Sequence, residues 1–235
     1  ADTLETLPKE AVRAILSASD TPAFFVDMWD QCGDYHRDIE SDLAWGSFRG
    51  YFKREMLSGI SYPAPSFPLP FAYPAFRIPD RISFTGRQGL FWAGKGMGGL
   101  RRMILEHMVM RYGLDISRQY SQEEYTAALA RHVAGLSLTG NGFDTVRYWE
   151  LPAHGCLLLS ERLPIIVPND FVDGVDALFF EDLKTLDEKI RWMQHNTTLL
   201  PRIAKAGHRR LLQYHTGRVR AAQLLKGVTS ILQPG

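Results

Sequence analysis

Cysteine is nearly absent: the 235 residues hold only Cys32 and Cys156. The two lie far apart and form no metal-ligand spacing, and a single pair is too few for a disulfide framework. A reduced, cytoplasmic setting is expected, with both thiols as core or near-surface residues. No apolar run approaches the roughly 18 residues of a membrane helix, so no integral membrane segment is expected. Attachment at the inner membrane face stays open. No secretory signal opens the sequence. Charge of one sign is also missing, with 27 basic against 26 acidic side chains and a net charge of +1. That balance excludes the basic footprint of a duplex-binding protein, so no nucleic-acid partner is expected. The seven histidines are scattered without HExxH spacing, and no G-x-S-x-G elbow occurs. No metal site is therefore expected.

What is present is an ordinary globular composition, 45% hydrophobic and 23% charged, long enough to bury a substantial core. Two textures divide it. The first 80 residues are irregular and aromatic, with a predicted helix over Lys9–Ser17. A strand-like run, Ala23-Phe24-Phe25-Val26, ends in the acidic cluster Asp27, Asp30 and Asp34. Ser61–Pro79 interleaves Pro63, Pro65, Pro68, Pro70, Pro74 and Pro79 with aromatics. Proline fixes its own φ and disfavours helix in the preceding residue, so this stretch reads as an extended connector and domain boundary.

From Gly89 on, strands and helices alternate. Apolar runs at Leu90–Ala93, Val133–Leu138, Cys156–Ser160 and Ala177–Phe180 read as buried strands. Helices are predicted at Leu100–Tyr112, Ser121–His132, Asp144–His154, Leu183–Gln194, Leu199–Tyr214 and Arg218–Leu232. Ser121 with Glu124 forms a capping box; Asp144 is the expected cap and Gly155 the terminator of the third helix. Strand, crossover helix and strand with short connections mean an α/β fold, a Rossmann-like parallel sheet with helices on both faces. Ligands in such sheets bind beyond the carboxyl ends of the strands.

That rule selects three loops for chemistry, Gly94–Gly99, Thr139–Asp144 and Ser160 through Asp176, of which the first two carry the most informative residues. Gly94-Lys95-Gly96-Met97-Gly98-Gly99 matches G-x-G-x-x-G formally, but Asp115 precedes the next apolar segment instead of ending it. With Lys95, Arg101 and Arg102 the loop suits any phosphate at a helix N-terminus; a solvated turn is the equal alternative. The second loop runs through Thr139, Gly140, Asn141 and Gly142 into a helix bearing Thr145, Arg147 and Glu150. Arg147 and Glu150 are three apart and share a helix face. They read either as a surface salt bridge or as donors and acceptors for a ligand. Tyr148 and Trp149 are adjacent, so one is expected in the core and the other free to stack on a base.

The ordered segments "TVRYWELPAHG", "CLLLSERLP" and "NDFVDGVDALFFEDLKTLDEKI" resemble one family closely. It is the group-1-like glycosyltransferase family that includes spore-maturation glycosyltransferases of the CgeB type. The resemblance covers about residues 90–225. It implies a two-lobed GT-B fold, here with residues 81–235 as a nucleotide-sugar donor lobe. Residues 1–80 would then be a reduced or truncated acceptor-side lobe with its proline-rich connector.

The resemblance also implies site residues. Glu150 matches the glutamate that contacts the donor ribose, while Thr145 and Arg147 fall near its diphosphate. Gly94, Lys95, Gly96 and Arg101 match the glycine-rich turn, with Asn141 and Gly142 lining the second loop. Lys53 and Arg54, in "GYFKREML", would meet the donor phosphates; Asp27, at a strand end, is a candidate general base, and a solvated charge is the alternative for each, the favoured one for Asp27. Relatives with a two-glutamate motif carry an acidic residue eight positions before the helix glutamate; Gly142 stands there. The function implied is metal-independent transfer of a sugar from a UDP- or GDP-linked donor, with no cofactor, to a glycan, lipid-linked glycan or protein. The alternative is a nucleotide-sugar-binding module that is inactive alone or needs a partner domain. A dinucleotide-dependent oxidoreductase rests on Gly94–Gly99 alone.

Overall fold

A computed structural model describes residues 20–30, 48–62, 65–94 and 98–233, with isolated positions before residue 20. The helix predicted over 9–17 lies almost wholly outside them, and Cys32, Asp34, Lys95 and Gly96 lie outside altogether. The chain divides into two compact units: residues 1–70 with 165–167 and 221–235, and residues 71–164 with 168–220. The break at Pro70/Phe71 falls inside the proline-rich stretch.

The first unit holds a parallel sheet of β1 (Ala23–Asp27), β2 (Phe48–Lys53) and β3 (Ser66–Pro68), in that order. Its core is aromatic: Phe25 stacks on Tyr51 at 5.6 Å and Phe52 on Phe67 at 5.2 Å. Two glycines let the chain's last helix close on this sheet. A Cβ on Gly50 would lie 2.5 Å from Ile231, and one on Gly227 would lie 2.8 Å from the Phe52 ring.

The second unit holds a four-stranded parallel sheet in sequential order: β4 (Leu90–Phe91), β5 (Ala134–Ser137), β6 (Leu157–Glu161) and β7 (Leu178–Phe180). Its helices are α1 (Leu100–Tyr112), α2 (Gln122–Arg131), α3 (Val146–Ala153), α4 (Leu183–His195) and α5 (Leu200–Tyr214). The last, α6 (Gly217–Leu232), passes into the first unit from Ala221 onward. Among the described residues no helix is long and apolar enough to cross a membrane.

Alternation along the strands sends side chains to two covered faces. Ala134, Leu136, Leu157, Leu159, Leu178 and Phe180 pack in one cluster with Ile104, Leu105 and Met108 of α1 and Leu186, Ile190 and Met193 of α4. On the other face the backbone of β5 is bare at Gly135, where a Cβ would lie 2.1 Å from Leu151 of α3. Tyr148 stacks on Phe179 of β7 there, ring centres 6.2 Å apart.

The ends of α2 and α3 show how local sequence sets the elements. Ser121 and Glu124 form the reciprocal capping box ahead of α2. Gly155, at φ 75°, ends α3 in a left-handed turn: its amide donates to Pro152 and that of Cys156 donates to Leu151. Two expectations are corrected. The N-cap of α3 is Thr145, not Asp144, whose buried carboxylate accepts from Trp149 Nε1 at 2.6 Å and from the Phe71 amide. Tyr148 and Trp149 are both core residues, 0% and 1% exposed. The short α3 lies between the sheet and Phe171 and His215, so neither ring is free to stack on a ligand. Cys156 is a buried core thiol, its pKa pushed up to about 12 by burial.

Helix α5 approaches closely at Gly207, where a Cβ would lie 2.4 Å from the Asp176 carbonyl oxygen. Helix propensity alone favours Gly207→Ala by about 1 kcal/mol. Overpacking against a backbone atom opposes it at about 1–3 kcal/mol, with no side-chain rotamer to relieve it. The expected outcome is a lower melting temperature for Gly207→Ala by several degrees; an unchanged or higher value would contradict this packing.

Two buried histidines make stability depend on pH. His215 packs on Trp149 at 4.9 Å, and its Nε2 faces the Asn169 carbonyl at 3.0 Å. Burial, and then the Arg220 charge, pull its pKa from 6.5 down to about 3. Burial, followed by Arg87 and His208, pulls His154 down to about 4. Both stay neutral in the fold where unfolded histidines already bind a proton. Stability is therefore full above about pH 6.5 and is lost as pH falls from there toward 4. At about 1.4 kcal/mol per tenfold change in proton affinity, each histidine contributes on the order of 3 kcal/mol. The urea midpoint should drop between pH 7 and pH 4.5, and drop less in His215→Gln; equal slopes would contradict it.

Candidate functional site

The carboxyl ends of β4, β5 and β6 meet around one aromatic ring. Trp92 follows β4 and is 3% exposed. The Arg147 guanidinium, from the first turn of α3, lies 5.2 Å from its centre, and that of Arg101, from the first turn of α1, lies 5.8 Å away. Two cations over one indole gain from its negative face. They also repel each other. Burial first, and Arg147 second, lower the pKa of Arg101, while Glu161 at the end of β6 opposes them.

Arg101 is fixed by the loop after β5. Its Nε donates to the Thr139 carbonyl at 2.6 Å and its Nη2 to that of Leu138 at 3.0 Å. Glu161 braces the same loop by accepting from the Thr139 amide at 2.6 Å. Small residues are required at this approach: a Cβ on Gly140 would lie 2.8 Å from Arg101 Nη2. One on Gly94 would lie 3.3 Å from Arg147 Nη2. Arg147 differs from Arg101 in one respect. Its buried Nε, like Trp92 Nε1, finds no hydrogen-bond partner among the described residues. Buried donors of this kind are normally satisfied by protein, water or a ligand.

One turn along α3, Glu150 turns away from Arg147 to other partners. Its Oε2 accepts from the Tyr125 hydroxyl of α2, and its Oε1 from the Tyr73 hydroxyl at 3.5 Å. Tyr73 also lies 3.0 Å from His154 Nε2. Burial and then the Glu150 charge raise the pKa of both tyrosines, so both remain protonated donors. A cavity of about 700 Å³ opens here, lined among others by Tyr73, Phe76, Arg77, Tyr125, Glu150 and His154. A second of about 700 Å³ lies near the start of β4, between Met108, Tyr112, Ile190 and Met193. Among the described residues that line it, Arg87 is the one cation.

The structure thus gathers Gly94, Arg101, Thr145 and Arg147 at the strand ends, with Glu150 one turn away. Thr145 Oγ1 sits 3.4 Å from Ser137 Oγ. Asn141 is exposed and Gly142 half-buried in the loop between them. Sequence reasoning did not find Trp92, Tyr73, Tyr125 or Glu161 as parts of the site. Only Glu161 had a local signal, as a carboxylate ending a buried strand.

In the first unit, Asp27 and Lys53 end β1 and β2 opposite each other. Lys53 Nζ donates to Asp27 Oδ2 at 2.7 Å, and both side chains are 1% exposed. The Tyr51 hydroxyl donates to the same oxygen and the Trp29 amide to Oδ1 at 3.1 Å. Arg54 pairs with Asp30 and, at 3.2 Å, with Glu55. The three side chains expected to act are together, and each is already engaged.

Comparison with known proteins bears on what these ends could bind. HepE from Anabaena, solved with UDP and glucose, superposes with a TM-score of 0.64 at 11% identity, covering 95% of this chain and 76% of its own. The GtfA/B complex gives 0.60 at 11%, covering 96% and 61%. TarM gives 0.59 at 9%, covering 89% and 50%, so the chain spans about half the length of TarM. No curated protein gives a match. At these identities the likeness is one of fold, the GT-B class of Rossmann-like α/β units. A profile described as glycosyl transferase-like matches residues 83–226, at the level of the family and without singling out its CgeB-type branch. As that match spans more than half of the sequence, the chain belongs to the glycosyl transferase-like family.

Proposed function

We propose that this chain takes part in transfer of a sugar from a nucleoside-diphosphate donor, and that its second unit holds the donor. The observation carrying this reading is the pair of guanidiniums over Trp92 with an unpartnered Arg147 Nε. The diphosphate lies against Arg101 and Arg147, close to Gly94. Thr145, Asn141 and Gly142 border it, and Glu150 accepts from the ribose hydroxyls. HepE, which shares the fold, was solved with UDP and glucose, and of a UDP- or GDP-linked sugar this supports the first.

Chemically, the bond between the sugar's anomeric carbon and the diphosphate breaks as an acceptor hydroxyl attacks that carbon. Negative charge grows on the departing diphosphate. Cations already fixed at that point stabilise it without reorganising, which is the larger part of such catalysis. In this reading the arginines, not a metal, neutralise the leaving group. The proton of the attacking hydroxyl needs a base. Asp27, with Lys53 and Arg54, is the acceptor-side candidate, but freeing its carboxylate from Lys53 opposes a buried ion pair worth several kcal/mol. Holding the ends of β1 and β2 is the role that geometry favours for Asp27 and Lys53.

Incubation with a panel of nucleotide sugars and glycan, lipid-linked glycan or protein acceptors tests the reading. Donor-dependent release of UDP or GDP is expected, with thermal stabilisation by the same donor. Binding without turnover would favour a donor-binding module that needs a partner domain; stabilisation by NAD alone would contradict both. Hydrogen bonds to charged groups contribute about 1.5–3 kcal/mol, so Arg147→Ala and Glu150→Ala should each weaken donor binding about 10- to 100-fold in protein that still unfolds cooperatively above the assay temperature. Unchanged affinity would remove these residues from the site.

A further inference from the structure

Arg147 and Glu150 are opposite charges three residues apart on one helix face, a spacing at which side chains normally meet. Left free, Glu150 would fold onto Arg147 and neutralise the cation that the donor phosphates need. It does not, because two phenols take its carboxylate. Tyr125 reaches it from α2, and Tyr73 reaches it from the segment before β4. Both are anchored. The Tyr125 ring packs edge-on to Phe91 at 5.4 Å, and the Tyr73 amide donates to the His215 carbonyl at 3.0 Å while its own carbonyl accepts from Gly217. His154, held neutral by burial, sits edge-on to Tyr73 with Nε2 3.0 Å from its hydroxyl. With its proton on Nε2, His154 donates to Tyr73, and Tyr73 donates onward to Glu150. Arg147 is close enough for its charge to offset part of the effect of Glu150 on Tyr125.

We propose that Tyr73 and Tyr125 are positioning residues that hold the Glu150 carboxylate away from Arg147. The Arg147 guanidinium is thereby kept for a diphosphate, and the unused lone pairs of Glu150 are kept for a sugar diol. A glutamate has three side-chain torsions, and fixing them before the ligand arrives removes an ordering cost from binding. The proposal rests on the reading of Arg147 as a phosphate ligand.

Inorganic pyrophosphate is the probe, because it tests the cation without needing the right base or sugar. In the full chain, Tyr125→Phe keeps the ring and loses only the hydroxyl. Its pyrophosphate affinity should fall about fivefold, the size of one solvent-accessible ion pair at its upper end. Adding Glu150→Gln to Tyr125→Phe should restore it, since a neutral amide no longer competes for Arg147. Tyr73→Phe should behave in the same direction, and a melting temperature taken on each variant separates this from unfolding. A merely structural role for the tyrosine gives no rescue beyond the gain that Glu150→Gln alone brings to the unaltered chain by removing a negative charge. Unchanged affinity in Tyr125→Phe, or no rescue, overturns the clamp while leaving Arg147 as a phosphate ligand. Pyrophosphate that binds equally well to Arg147→Ala, or to no form of the chain, overturns the clamp together with the donor-site reading beneath it.

Discussion

The depth at which α3 sits on the sheet decides where the candidate site is. At Gly135 the strand offers no side chain, and Leu151 occupies the space a Cβ would take. Above α3, Gly207 lets α5 close down to the Asp176 carbonyl with Pro152 beneath it. The helix is held between the sheet, which leaves no room for a side chain at Gly135, and α5. Its first turn therefore lifts Arg147 to the end of β4 and over Trp92, and its second aims Glu150 toward α2. A bulkier residue at Gly135 would press on Leu151 and displace α3, moving both charged groups together.

Charge placement follows from that seat. The two arginines that converge on Trp92 come from helices on opposite faces of the sheet, each delivered by its first turn. The bonds to Leu138 and Thr139 tie Arg101 to the loop after β5 through two of its five N–H donors. Arg147 Nε has no hydrogen-bond partner among the described residues. The two cations are thus held differently, one tied to the loop by hydrogen bonds and the other resting on the indole. In the first unit the charged groups at the strand ends close on each other instead, with Lys53, Tyr51 and the Trp29 amide all turned to Asp27.

Much of the frame was legible in the sequence because it rests on local rules. The apolar runs mark the strands, the Ser121–Glu124 box marks the start of α2, and Gly155 marks the end of α3. The match of the family profile to residues 83–226 agrees with the ordered motifs from Thr145 to Ile190. What was not legible depends on distant contacts. Tyr73 and Tyr125 reach Glu150 from 77 and 25 residues away, and neither has a local pattern that announces it. Asp144 has good capping chemistry, yet the buried Trp149 indole needs an acceptor and takes it. Tyr148 and Trp149 point in different directions as expected. Both directions are covered, because a short helix between a sheet and another helix has little free surface.

A structure of the chain crystallised with a nucleoside diphosphate tests the central assignment most directly. The expected result has diphosphate oxygens within hydrogen-bonding distance of Arg147 and Arg101 at the end of β4, and ribose hydroxyls on the Glu150 carboxylate between the two tyrosines. A nucleotide seated instead near the start of β4, in the cavity between Met108 and Met193, with Arg147 and Glu150 untouched, would contradict it.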